Sequence, residues 1–261
     1  MLHHKASGNT AKTAVLFLHG FMGSSDDWVG VMTELADAYH CLAVDLPGHG
    51  ASTGLADGLY TMDGAAQALV DVLDEHGIER CAVVGYSMGG RLALYFGMRF
   101  PERCRVLVLE SASPGLATAA EQAARRSVDE ARAGRLERED FDTFLNEWYR
   151  QPLFASLAGH EGLVEQMMAR RRTNDPREVA RSLRGMGTGC QPSLWERLAA
   201  WRVSTIAMAG GLDAKYVGIA RRMAALSDAV HAVIVPEAGH NVHAEQPGRF
   251  TALLESFLKQ S

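Results

Sequence analysis

Cys81-Ala82-Val83-Val84-Gly85-Tyr86-Ser87-Met88-Gly89-Gly90-Arg91-Leu92-Ala93-Leu94 is the stretch on which the fold turns. It opens as a short apolar run of strand character and continues as a helical pattern, with Gly85-Tyr86-Ser87-Met88-Gly89 at the change of period. A strand that turns sharply into a helix needs small residues on both sides of the turn, because backbone approaches backbone there. Such a turn lifts the residue at its apex, Ser87, clear of the sheet as a nucleophile or base. Chance places one G-x-S-x-G in roughly one chain in ten of this length, so the context carries the signal rather than the pattern alone.

Two further segments supply partners in a telling order. Thr205-Ile206-Ala207-Met208-Ala209-Gly210-Gly211-Leu212-Asp213 is an apolar strand followed by a carboxylate, and His231-Ala232-Val233-Ile234-Val235 is a strand followed by Pro236-Glu237-Ala238-Gly239-His240. Serine, acid and histidine, each just past the carboxyl end of a strand, follow the chain order of the α/β-hydrolase triad. The chemistry requires each type. A serine hydroxyl is weakly basic at neutral pH, so His240 must take its proton, and Asp213 would hold the imidazole in the right tautomer. Near the start, Ala14-Val15-Leu16-Phe17-Leu18 reads as a strand and His19-Gly20-Phe21-Met22-Gly23 as the loop after it. That loop would present the Phe21 backbone N–H, beside the Met88 N–H, as an oxyanion hole. His19 is expected to hydrogen-bond within the loop.

The remaining pattern is an α/β chain with an insertion. Strands at 14–18, 40–45, 81–85, 105–109, 205–209 and 231–235 alternate with helices at 27–38, 63–76, 89–99 and 247–259, after a hairpin-like start around Gly8-Asn9. Such alternation predicts a mostly parallel sheet flanked by helices, with ligands bound beyond the carboxyl ends of the strands. From 114 to 199 no strand is expected. Five helical segments, 118–132, 138–149, 161–172, 177–185 and 193–201, predict an inserted helical cap over a core made of 1–113 and 200–261. Between 121 and 197 there are thirteen arginines, no lysine and thirteen acidic residues. Most of these arginines are therefore expected in solvated pairs, with two or three turned toward an anionic ligand.

The 261 residues are 47% hydrophobic and 22% charged, with a formal net charge of −5. No global positive field is available for nucleic acid or anionic membrane. No apolar run reaches the ~18 residues of a membrane span, and the first residues lack the apolar core of a signal peptide. The four cysteines, at 41, 81, 104 and 190, form no C-x-x-C pair and are expected as free thiols in the cytoplasm. Neither metal nor cofactor is called for, and oligomeric state, monomer or homodimer, stays open.

Over its full length the chain resembles the α/β-hydrolase superfamily and, more narrowly, the 2-succinyl-6-hydroxy-2,4-cyclohexadiene-1-carboxylate synthases of menaquinone biosynthesis. The broader match lies in Leu18-His19-Gly20-Phe21-Met22-Gly23-Ser24, Asp45-Leu46-Pro47-Gly48-His49-Gly50 and the serine turn. The narrower one lies in Arg91, Ser113-Pro114-Gly115-Leu116, Trp148-Tyr149-Arg150-Gln151-Pro152 and Leu212-Asp213-Ala214-Lys215-Tyr216. Gly211-Leu212 departs from the family's usual lead-in to the aspartate. The resemblance implies a lyase that eliminates pyruvate from 2-succinyl-5-enolpyruvyl-6-hydroxy-3-cyclohexene-1-carboxylate, a small tricarboxylate, with Ser87 as the base. It also implies Arg91, Arg125, Arg172, Tyr86 and Trp148 as substrate-binding positions, with Arg126 adjacent to Arg125, and with Arg170 and Arg171 preceding Arg172. A serine hydrolase, either a carboxylesterase or a carbon–carbon bond hydrolase of a dienoate, would use the same triad. A ligand-binding protein on a retained scaffold would keep it without turnover.

Overall fold

A computed structural model describes residues 1–260. Seven strands form one sheet: β1 (His4–Ser7), β2 (Ala14–Leu18), β3 (His40–Val44), β4 (Cys81–Tyr86), β5 (Cys104–Glu110), β6 (Thr205–Gly210) and β7 (Val230–Val235), in the spatial order β1-β3-β2-β4-β5-β6-β7. Only β1 runs antiparallel to its neighbour. The expected hairpin at Gly8-Asn9 does not form: β1 pairs with β3, His4 opposite Val44, and so becomes an edge strand.

The central strands β2 and β4 are apolar along their length because both faces are covered. Alternate residues point to opposite faces. Val15 and Phe17 join Trp28, Leu35, Phe250 and Leu254 under α1 (Val29–Leu35) and α10 (Pro247–Leu258). Leu16 and Leu18 join Leu69, Leu92 and Phe96 under α2 (Met62–Glu75) and α3 (Met88–Arg99).

Between β5 and β6 run α4 (Ala119–Arg138), α5 (Phe141–Tyr149), α6 (Leu163–Arg171) and α7 (Pro176–Met186). The first helix extends past the expected end at 132, with Thr118 and Glu121 closing a reciprocal capping box at its start. These helices gather Phe144, Leu145, Phe154, Met167, Met168, Val179 and Leu183 into a separate apolar cluster that also takes in Met22 from the loop after β2. The insertion thus rests on the loop that carries Phe21. Two helices are not expected from the sequence pattern: α8 (Ala214–Leu226), and α9 (Val242–Glu245) just after His240. No helix among the described residues is long and apolar enough to cross a membrane. The four cysteines carry free thiols, three of them buried and Cys190 exposed.

Candidate active site

β4 ends at Tyr86, and the chain reverses into α3 through Ser87 at φ 49°, ψ −104°, a left-sided conformation rare for a residue with a side chain. Two flanking glycines make it possible. A Cβ on Gly85 would collide with the Gly89 carbonyl, and one on Gly89 with the Leu18 and His19 carbonyls. The Ser87 N–H donates to the Glu110 carbonyl (2.8 Å), which ties the turn to the end of β5. His240 follows β7 and Asp213 follows β6.

Tertiary structure brings the three together. His240 Nε2 lies 3.1 Å from Ser87 Oγ, and His240 Nδ1 lies 2.7 Å from Asp213 Oδ2. His240 and Asp213 are almost fully buried, and Asp213 also accepts from the Tyr216 N–H at the start of α8. The tautomer follows from the partners: Nδ1 donates to the carboxylate, leaving the Nε2 lone pair toward the serine hydroxyl. Phe21 and Met88 line the same cavity as Ser87, and neither backbone N–H donates to a carbonyl among the described residues. Met88 is the first residue of α3, so its free amide and the helix dipole both favour negative charge there. His19 sits beneath: its Nδ1 donates to the Gly20 carbonyl (2.7 Å) and its Nε2 accepts from Leu46 N–H (2.9 Å). It braces two loops against each other, reaching further than the single loop expected of it.

The cavity above Ser87 encloses about 740 Å³ of empty space including its mouth. Four cationic side chains line it: Arg91, Arg125, Arg132 and Lys215, together with Trp148, Gln151 and Tyr216. Arg91 is 7% exposed, and its Nη1 donates to the Met186 carbonyl (3.0 Å) and the Gln191 amide oxygen (3.3 Å). No carboxylate pairs with it among the described residues. Burial pushes its pKa down to about 10, which still leaves it charged at neutral pH. Arg125 donates to Asp129 (2.8 Å), and Arg132 lies 3.6 Å from the same buried carboxylate while its guanidinium stacks on Trp148. One acidic side chain is therefore shared by two of the four cations.

Trp148 lines the cavity, packed between Phe21 (5.2 Å) and Phe144. Two expected binding positions are not at the cavity. Arg172 is exposed and donates to Asp142 (2.8 Å) and Glu165 (2.7 Å). The neighbouring Arg171 takes the inward direction, where it is buried against Asp27 (2.8 Å) and the Tyr149 hydroxyl. Consecutive residues at the end of a helix point about 100° apart, so only one of the two can face inward. Tyr86 is buried behind the site. Its ring faces His240 (5.5 Å) and meets His243 edge-on (5.0 Å), so it supports the histidines and does not line the cavity. Arg132, Lys215 and Gln151 are not among the expected binding positions, although Gln151 and Lys215 lie in stretches that carry the resemblance. The helical spacing 125, 129, 132 was the available signal for Arg132, since i, i+4 and i+7 share one face.

A serine–histidine–carboxylate relay beyond the carboxyl ends of a parallel sheet, beside two unpaired amides, defines a class. The chain belongs to the α/β-hydrolase fold family, whose model matches residues 13–247. Within it the chain groups with the 2-succinyl-6-hydroxy-2,4-cyclohexadiene-1-carboxylate synthases. It is 34% identical to the synthase of Serratia proteamaculans across 96% of this chain and 95% of that protein. The solved structure of MenH from S. aureus superposes with a TM-score of 0.94 at 35% identity, covering 100% of this chain and 99% of that one. Protein PHYLLO, chloroplastic, of Arabidopsis thaliana is 33% identical over 98% of this chain, which spans 16% of that much longer protein.

Proposed function

We propose that the protein is a carbon–oxygen lyase that converts 2-succinyl-5-enolpyruvyl-6-hydroxy-3-cyclohexene-1-carboxylate to 2-succinyl-6-hydroxy-2,4-cyclohexadiene-1-carboxylate and pyruvate. The observation that carries this reading is Arg91. A guanidinium buried beside the serine with only neutral partners is costly unless a ligand brings the anion. With Arg125, Arg132 and Lys215 around it, the cavity suits a substrate bearing several carboxylates, and this substrate has three. A neutral ester has no use for such a lining. Relatives that carry this synthase's name, at full-length coverage, support the same conclusion.

In this reading His240 takes the hydroxyl proton of Ser87 while Asp213 stabilises the imidazolium. The serine oxygen removes the ring proton at the carbon that bears the succinyl group. Electrons from that C–H bond move toward the succinyl carbonyl, whose developing negative charge the Phe21 and Met88 amides meet. They return through the ring: a new double bond forms at the carbon that lost the proton, the existing carbon–carbon double bond shifts by one position, and the C–O bond to the enolpyruvyl group breaks. The departing enolate takes a proton, with His240 as donor, and becomes pyruvate. No acyl-enzyme forms and no water is consumed. The helical segment 114–199 acts as the cap that supplies Arg125, Arg132 and Trp148.

The test is pyruvate release from freshly generated substrate, with a nitrophenyl ester assayed in parallel. Rapid pyruvate formation with negligible ester cleavage is expected, and Ser87→Ala should abolish it while leaving the thermal melt unchanged. Ester cleavage without pyruvate, or near-wild-type turnover by Ser87→Ala, would overturn the assignment.

A further inference from the structure

His4, on edge strand β1, and His76, at the carboxyl cap of α2, are 72 residues apart in sequence, yet their Nε2 atoms lie 2.7 Å from each other. The Glu75 carboxylate belongs to the same group, with the ligand atoms of all three within 4.8 Å of one another. None of the three lines the cavity above Ser87. From this cluster we infer a binding site for a divalent transition-metal ion of the zinc class, held by His4 Nε2, His76 Nε2 and a Glu75 oxygen, with water completing the coordination.

Two observations support it beyond proximity. His4 Nδ1 lies 3.2 Å from the Leu2 carbonyl, which fixes the proton on Nδ1 and leaves the Nε2 lone pair facing His76. Metal-binding imidazoles are commonly oriented in this way by a backbone carbonyl on the other nitrogen. The pair also sits at the carboxyl end of a 14-residue helix, where the macrodipole favours a cation. Behind His76 packs His40, buried, 5.9 Å ring to ring, with both nitrogens lacking a partner. Two imidazoles and one carboxylate suit a borderline cation such as Zn²⁺ and are a poor set for Ca²⁺ or Mg²⁺, which prefer oxygen. An ion here would clamp β1, an edge strand, to α2.

The experiment uses untagged protein stripped with EDTA, in a Cys190→Ser background so that the exposed thiol cannot compete for the metal. Zn²⁺ titrated by calorimetry should bind one to one in the micromolar range or tighter and raise Tm. His4→Ala and His76→Ala should each weaken binding by about tenfold or more and remove the Tm response. Glu75→Gln, at an exposed position that leaves the fold undisturbed, should weaken it as well. Co²⁺ should give a visible absorption band in the parent protein that His76→Ala lacks. An absence of saturable binding below about 1 mM, or stoichiometric binding retained in the His4→Ala/His76→Ala double variant, would overturn the site.

Discussion

The Arg91 guanidinium lines the cavity, donates to a backbone carbonyl and a glutamine amide, and pairs with no carboxylate among the described residues. In the proposed reaction, truncating it would remove a charge partner of the substrate at the reacting end. Arg91→Ala should therefore lower kcat/KM for the tricarboxylate by about 2–5 kcal/mol in transition-state stabilisation. Arg132→Ala should raise KM and also loosen Trp148, since the guanidinium covers the indole face. Arg172→Ala is the control: its two ion pairs lie at the surface, and kcat/KM should change by less than about threefold. Steady-state kinetics on the three variants separate the arginines that meet the substrate from those that pair with solvated acids.

At the scale of elements, the serine turn, β5 and α9 are locked by a buried pair not anticipated from the sequence. Glu110, at the end of β5, accepts from the His243 N–H (3.0 Å) and from His243 Nδ1 (2.7 Å), and its own carbonyl holds the Ser87 N–H. The His243 ring stacks on Trp28 (4.3 Å) and touches Tyr86, which in turn faces His240. Glu110→Ala would leave two buried donors without acceptors. A loss of about 3–5 kcal/mol is expected, read as a lower Tm. Because His240 then loses its backing through Tyr86, kcat should fall more than KM rises. An unchanged kcat in folded Glu110→Ala protein would confine the pair to a stabilising role.

At the scale of the whole molecule, two buried imidazoles under the site contribute to the loss of stability in acid. Burial, reinforced by the neighbouring His19, pushes His49 down to about 3, and burial lowers His19 also. Both are neutral in the folded protein near pH 7, whereas in the unfolded chain they protonate near 6.5. Below pH 6.5 the unfolded state binds more protons, so stability falls as pH falls, and for His49 it continues to fall to about pH 3. Each contributes up to about 1.4 kcal/mol per pH unit across its window. Chemical denaturation between pH 7 and 4 should show this slope, and His49→Gln should flatten it by about one such increment. An unchanged slope would mean that His49 is protonated in the folded state.

The order of the reactive residues was legible in the sequence: the apolar runs at 14–18, 81–85, 205–209 and 231–235 become strands, and the Ser, Asp and His that follow the last three meet at one point. Strands buried on both faces have no alternative use for such runs, and the glycines about Ser87 allow little but a tight turn. The start of the chain was not legible, because a short strand carries no signal of which edge it joins. Helix α8 was missed since its stripe is thin, with only Ala220 and Met223 buried. Which arginines face the cavity was likewise a tertiary decision. Thirteen arginines among thirteen acids look alike along the sequence, and only helix phase and packing turn Arg125 and Arg132 inward, bury Arg171 on Asp27, and leave Arg172 in solvent. The sequence by itself thus determined the fold and the reactive relay, because backbone sterics and burial act locally on residue type. Only the tertiary structure decided the shape of the charge field above the relay, because that depends on how helices distant in sequence rotate against one another.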